Sequence, residues 1–161
     1  MFKSTKRFTG FSCAHRQPAH DGHCKFLHGY SRSFYFVFAA DEVDPQTHFV
    51  MDFSGLKKVK AWLDEMFDHT CLINADDPEL TLFKELHERQ IIDLRVLPNV
   101  SMEATAKYVA EHVQKMLDAD TGGRVRIDAL ECRENEKNSG WYYPAGNGPL
   151  TPQATSEIGE S

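Results

Sequence analysis

No run of about 18 apolar residues occurs anywhere in the chain, which excludes a membrane-spanning helix. The first residues, MFKSTKRFTGFS, are basic yet lack the continuous apolar segment of a secretory signal, so a cytoplasmic protein is expected. Positive charge is in deficit: 18 Lys and Arg against 24 Asp and Glu give a formal charge of −6. General nucleic-acid binding needs a basic face, and this balance argues against it. A small anionic substrate held by a few local cations stays open. Cysteine is sparse, and Cys13, Cys24, Cys71 and Cys132 form no C-x-x-C pair of the zinc-ribbon or redox kind. In a reducing compartment they are free thiols. Repeats and a second domain are absent, and 161 residues suffice for one domain with a moderate core.

What the chain does have is histidine. Of eight, four fall between positions 15 and 28, around a loop rich in Pro, Asp and Gly. Before that loop, FKSTKRFTGFSCAH has strand composition. After it, SFYFVFAAD is strongly β-prone, with Phe34, Phe36 and Phe38 on one face and Tyr35, Val37 and Ala39 on the other. Both faces are apolar, so helices are expected to cover one and a neighbouring subunit the other. DEVDPQTHF reads as a turn, with FVMDF returning as a short strand. Asp52 or Ser54 caps a helix whose stripe is Leu56, Val59, Leu63, Met66 and Phe67, ending near Asp68 and His69. DPELTLFKELHERQ reads as a shorter helix and IIDLRVLP as an extended segment. SMEATAKYVAEHVQKML gives a third helix, with Met102, Ala106, Val109, Val113 and Met116 inward, stopped by Gly122 and Gly123. RVRIDALECRE and GWYY are the final strands. Strands flanking helices indicate an α+β domain over residues 1–143, and the Pro-rich residues 144–161 read as a disordered tail.

The stretch HCKFLHGY concentrates the chemistry. His15 ends the first strand, and His28 and Tyr30, two apart, leave the same face of an extended segment. A strand-end histidine plus an H-x-H pair would suit a three-ligand zinc site with an open fourth position. Here the pair is H-x-Y, and a phenol with a pKa near 10 ligates less readily. A hydrogen-bonded structural role for these histidines is the competing reading. Cys24 has His23 and Lys25 beside it, and nearby cations favour a thiolate. The other three cysteines are assigned to packing. Asp68 next to His69 can orient the imidazole for proton transfer, or His69 can simply cap the helix C-terminus. Glu134, before NEKNSG, reads on its own as a solvated turn residue.

Taken in order, FSCAH, CKFLHGY, MDFSGLK, FDHTCLIN, SMEATAKYVAEHV and ECRENEKNSGWYY resemble the 6-pyruvoyltetrahydropterin synthase family, which includes the 6-carboxytetrahydropterin synthases of queuosine biosynthesis. The similarity covers roughly residues 5–143. It implies the tunnelling fold: a four-stranded antiparallel sheet with helices on one side, closing into an oligomeric barrel, as a homohexamer built from two trimers. It further implies His15 and His28 as zinc ligands, Cys24 as catalytic thiolate, and Asp68 with His69 as a second proton-transfer pair. Glu134, eight residues before Tyr142, becomes the acceptor for the pterin edge. Ser101 and Glu103 line the pterin pocket or start a helix. The family's H-G-H ends in Tyr30 here, so Tyr30, His20 or His23 completes the metal site, or zinc is lost. The implied activity is a Zn2+-dependent lyase on 7,8-dihydroneopterin triphosphate, forming 6-carboxy-5,6,7,8-tetrahydropterin, acetaldehyde and triphosphate. A 6-pyruvoyltetrahydropterin synthase and a non-catalytic pterin binder are the alternatives. Arg16 and Lys25 are the cations nearest the loop that could attract the triphosphate.

Overall fold

The computed structural model describes residues 1–146. Most of the tail expected from residue 144 onward therefore lies outside the described residues. Two long strands, β1 (Phe2–His15) and β2 (His28–Ala40), form an antiparallel pair that is the spine of the sheet. Helix α1 (Lys57–Phe67) leads into β3 (Thr70–Asn74), α2 (Leu80–Glu88) and β4 (Leu94–Leu97). Helix α3 (Met102–Thr121) is followed by the hairpin β5 (Arg126–Arg133) and β6 (Ser139–Tyr142). The sheet has six strands in the order β4-β3-β1-β2-β5-β6.

The expected antiparallel core of β1, β2, β5 and β6 is present, but the sheet is mixed, because β3 pairs parallel with both β1 and β4. β3 has no alternation to read: all five of its residues are buried, as befits a parallel strand covered on both faces. The return strand expected at FVMDF does not form. Both edges of β2 are occupied, by β1 and β5, leaving it nothing to pair with. Instead Asp44 Oδ1 accepts from the Gln46 and Thr47 N–H groups to make a turn, and Val50 and Met51 drop into the core.

The core forms where the inward face of β2 meets two helices. Phe34, Phe36 and Phe38 are fully buried against Val59, Leu63 and Phe67 of α1 and Val109, Val113 and Leu117 of α3. At about 1.5–3 kcal/mol per buried large apolar side chain, this cluster supplies most of the drive for closure. Asp52 caps the short 3-10 turn before α1 through Ser54 N–H at 2.9 Å. Gly122, at φ +61°, ends α3 in the left-handed conformation that glycine adopts at least cost. Helix α2 departs from the one-sided arrangement: Phe83 packs on Cys71 and Ile73, the face of β3 opposite to Leu72.

Beyond the core the outward face of the spine is polar as well as apolar. The Arg7 guanidinium lies 4.4 Å from the Tyr35 ring centroid, and buried Glu131 pairs with Arg7 and Arg133. No helix among the described residues is long and apolar enough to cross a membrane.

Candidate metal centre and proton-transfer pair

The site is built where β1 and β2 run out together. Their register places Cys13 opposite Tyr30, Ala14 opposite Gly29 and His15 opposite His28. Directly opposed residues share a face of the sheet, and the two imidazole centroids are 4.5 Å apart. Gly29 permits this approach, since a Cβ there would lie 2.3 Å from the Cys13 carbonyl oxygen. The third member arrives from β5. Ser33 pairs with Arg133, and Glu134 is the next residue, on the side of the strand that carries Cys132. It leaves the ladder by donating its N–H to the Asn138 carbonyl at 3.0 Å, and its carboxylate turns toward the histidines. Glu134 Oε1 is 3.3 Å from His15 Nε2 and 3.6 Å from His28 Nε2. Among the described residues this is the group of His, Cys, Asp and Glu positioned to hold a metal ion, with all ligand atoms within 4.8 Å of one another. Neither His20 nor His23 joins it. His20 Nδ1 instead accepts the Gly22 N–H at 2.9 Å within the loop.

Protonation of the pair follows from its neighbours. His28 Nδ1 lies 2.7 Å from the Phe26 carbonyl, an acceptor, so Nδ1 carries a proton and Nε2 is the ring atom turned toward Glu134. His15 is buried, and Arg32 Nη2 is 3.1 Å from its Nδ1. A guanidinium only donates, so Nδ1 accepts, and the neutral ring bears its proton on Nε2, toward Glu134. Burial first, then the Arg32 charge and His28, push the His15 pKa down to about 3. The ring is therefore neutral at physiological pH. Two imidazoles beside a carboxylate, one of them held by a backbone carbonyl, are a donor set that fits a divalent ion.

Arg32 is the residue that sequence reasoning missed. It is 1% exposed, and its Nη1 has no hydrogen-bond partner among the described residues. The signal was available: inward parity from Phe38, Phe36 and Phe34 runs back through Arg32 and Tyr30 to His28.

The remaining site residues are placed as follows. Cys24 is exposed in the short turn His23–Lys25, four residues before His28, and its carbonyl accepts the Gln17 N–H at 2.7 Å. Burial raises the thiols of Cys13, Cys71 (to about 11) and Cys132 (to about 12), which disqualifies them as thiolates. Asp68 Oδ2 is 3.0 Å from His69 Nδ1, while Oδ1 accepts the Ser12 N–H at 3.2 Å. The His69 contact, then the Ser12 N–H, hold the Asp68 carboxyl below the usual range. The His69 N–H donates to the Ser12 carbonyl at 2.6 Å with φ at +58°, and its side chain is 84% exposed. It lines one cavity with Cys13, Tyr30 and Ser31 and another with Ala14, Cys71 and His87. Ala14 and Cys71 alternate with the positions carrying His15 and Leu72, so this pair chiefly addresses the other face of the sheet.

Tyr30 is half-exposed, its ring perpendicular to His28 at 6.0 Å. Ser101 is the N-cap of α3, accepting the Ala104 N–H at 3.1 Å, and Glu103 is exposed in the first turn. Arg16 differs from expectation as a phosphate cation: both its Nε and Nη2 are committed to buried Asp77, at 2.8 and 2.6 Å.

Fold and site together define an α+β protein with a two-histidine, one-carboxylate centre at the end of its longest strand pair. The 6-pyruvoyl tetrahydropterin synthase family model matches residues 4–145, and the chain belongs to that family. The 6-carboxy-5,6,7,8-tetrahydropterin synthase of Rickettsia felis is 38% identical over 81 residues, half of this chain and 57% of that protein. The matched stretch thus spans little more than half of that relative's length. The enzyme of the same name from Rickettsia bellii is 34% identical over 115 residues, covering 71% of this chain and 78% of that one. Among solved structures, an uncharacterized Wolinella succinogenes protein superposes with a TM-score of 0.74 at 20% identity, covering 89% of this chain and 98% of the other. The 6-pyruvoyl tetrahydropterin synthase of Caenorhabditis elegans gives 0.59 at 22%, covering 89% and 96%. At these identities the structures establish the fold.

Proposed function

We propose that this chain is a zinc-dependent lyase acting on 7,8-dihydroneopterin triphosphate. It forms 6-carboxy-5,6,7,8-tetrahydropterin and releases acetaldehyde and triphosphate, a cytoplasmic step toward 7-deazaguanine nucleosides. Support comes from family membership, from curated relatives named for that product, and above all from one observation. His15 and His28, far apart in the loop-interrupted sequence, converge with a carboxylate.

His15 and His28 would hold a divalent ion there, and the chemistry it would supply is Lewis acidity toward an oxygen of the substrate side chain. Proton movement falls to the chain's own groups. Cys24 is the one exposed thiol among the described residues, so its sulfur is open to a substrate. Asp68 fixes His69 through Nδ1, which leaves Nε2 as the proton acceptor and keeps the imidazolium stabilised once formed. Glu103, exposed in the first turn of α3, has a subsidiary part in this reading, and Ser101 serves as the cap of that helix. Groups on opposite faces of one sheet do not meet the same small molecule within a single copy. The proposal therefore includes a homohexamer in which a second copy presents Asp68 and His69 to the first copy's metal centre.

The test is incubation of zinc-loaded protein with 7,8-dihydroneopterin triphosphate, following acetaldehyde and pterin products. One acetaldehyde per 6-carboxytetrahydropterin is expected, abolished by Cys24→Ala and His69→Ala in variants with unchanged circular dichroism. Intact substrate, or triphosphate release without acetaldehyde, would overturn the assignment.

A further inference from the structure

The geometry points to Glu134 as the third protein ligand of the divalent-ion site, with His15 and His28, in the place that the family pattern gives to residue 30. This rests on the metal-dependent reading above and gives Glu134 a role other than the one the family resemblance implies, metal ligand in place of acceptor for the pterin edge. Donors held about 2.1 Å from a tetrahedral ion sit ~3.4 Å from one another. Glu134 Oε1 stands 3.3 Å and 3.6 Å from the two imidazole Nε2 atoms, on either side of that spacing. The third edge, between the two imidazoles, lies within 4.8 Å.

Three further observations agree. Among the described residues the Glu134 carboxylate has no other hydrogen-bond or ion-pair partner, whereas Glu131 is committed to Arg7 and Arg133. Its backbone is fixed by the Asn138 carbonyl, so the carboxylate is aimed by the β5–β6 turn. Charge also favours it: the buried Arg32 cation lies against His15, and a third neutral ligand would leave a dication and a guanidinium uncompensated. A carboxylate offsets one of those charges. Tyr30 offers a phenol, which must lose a proton with a pKa near 10 to ligate well. Ligation needs the His15 Nε2 lone pair, so the ring proton passes to Nδ1 and the Arg32 Nη2 contact there gives way. Two histidines and a glutamate leave a fourth position for substrate.

The experiment measures zinc rather than turnover. Chelator-treated protein is titrated with zinc against a chromophoric chelator, and bound metal is counted by mass spectrometry, for the wild type, Tyr30→Phe, Glu134→Gln and His28→Ala. One zinc per chain is expected in the wild type and in Tyr30→Phe, with affinities within about 2-fold. Glu134→Gln and His28→Ala should each bind at least about 100-fold more weakly, with unchanged urea midpoints in the presence of chelator. Loss of zinc in Tyr30→Phe, or wild-type affinity in Glu134→Gln, would overturn the inference. The two readings fail separately. Zinc bound through Glu134 without acetaldehyde formation supports this ligand set and sinks the lyase. Acetaldehyde formation with zinc retained in Glu134→Gln does the reverse.

Discussion

Acidification tests how deeply His15 is committed to a neutral, buried state. Its pKa falls from 6.5 to about 3 on folding, chiefly by desolvation, with Arg32 and His28 adding to the shift. Between those values the unfolded chain binds a proton that the folded chain refuses, so stability declines as pH falls through 6.5 and goes on declining toward 3. Working the linkage between about pH 7 and about pH 5 gives a loss of about 2 kcal/mol from this one group. The assay is urea unfolding with chelator present, so that metal release does not contribute, on the wild type and on His15→Gln. Glutamine keeps an acceptor for Arg32 and has no proton to gain. His112, which is shifted the same way, is present in both proteins and cancels. The depressed carboxyls of Asp44, Asp52, Asp68 and Asp77 also cancel, and matter only below about pH 4. The wild type should lose about 2 kcal/mol more than His15→Gln over that interval. Equal losses would refute the burial argument and the neutral state of His15 drawn from it.

Two substitutions probe the frame of the site. Gly29→Ala drives a methyl against the Cys13 carbonyl and should cost roughly 1–3 kcal/mol in urea unfolding while weakening zinc binding; unchanged stability would mean the strand ends part easily. Ser101→Ala removes the α3 cap and should cost about 1 kcal/mol with KM unaltered. A raised KM would instead place Ser101 on the substrate.

How much of this was legible in the sequence depended on whether a signal was local. The Phe34, Phe36, Phe38 alternation, the Val59, Leu63, Phe67 stripe and the Gly122 stop each lie within a short window, and each element formed where expected. β3 escaped because burial on both faces erases the period of two, so no strand is read at TCLIN. FVMDF misled for the opposite reason, being apolar with no open strand edge beside it. In the site, spacing made His15, His28 and the Asp68–His69 neighbours candidates, and the family resemblance supplied their expected roles. The position of Glu134 could not, because it depends on β5 pairing with β2 in a register that continues one residue past Arg133. Nor could the face that His69 addresses, which follows from its backbone bond to Ser12 across two strands.

The most direct check of the metal centre is anomalous scattering at the zinc edge from crystals grown with zinc. A single peak per chain is predicted, about 2.0–2.2 Å from His15 Nε2, His28 Nε2 and a Glu134 carboxylate oxygen. An absent peak, or one bonded to the Tyr30 hydroxyl with Glu134 turned away, would contradict the account.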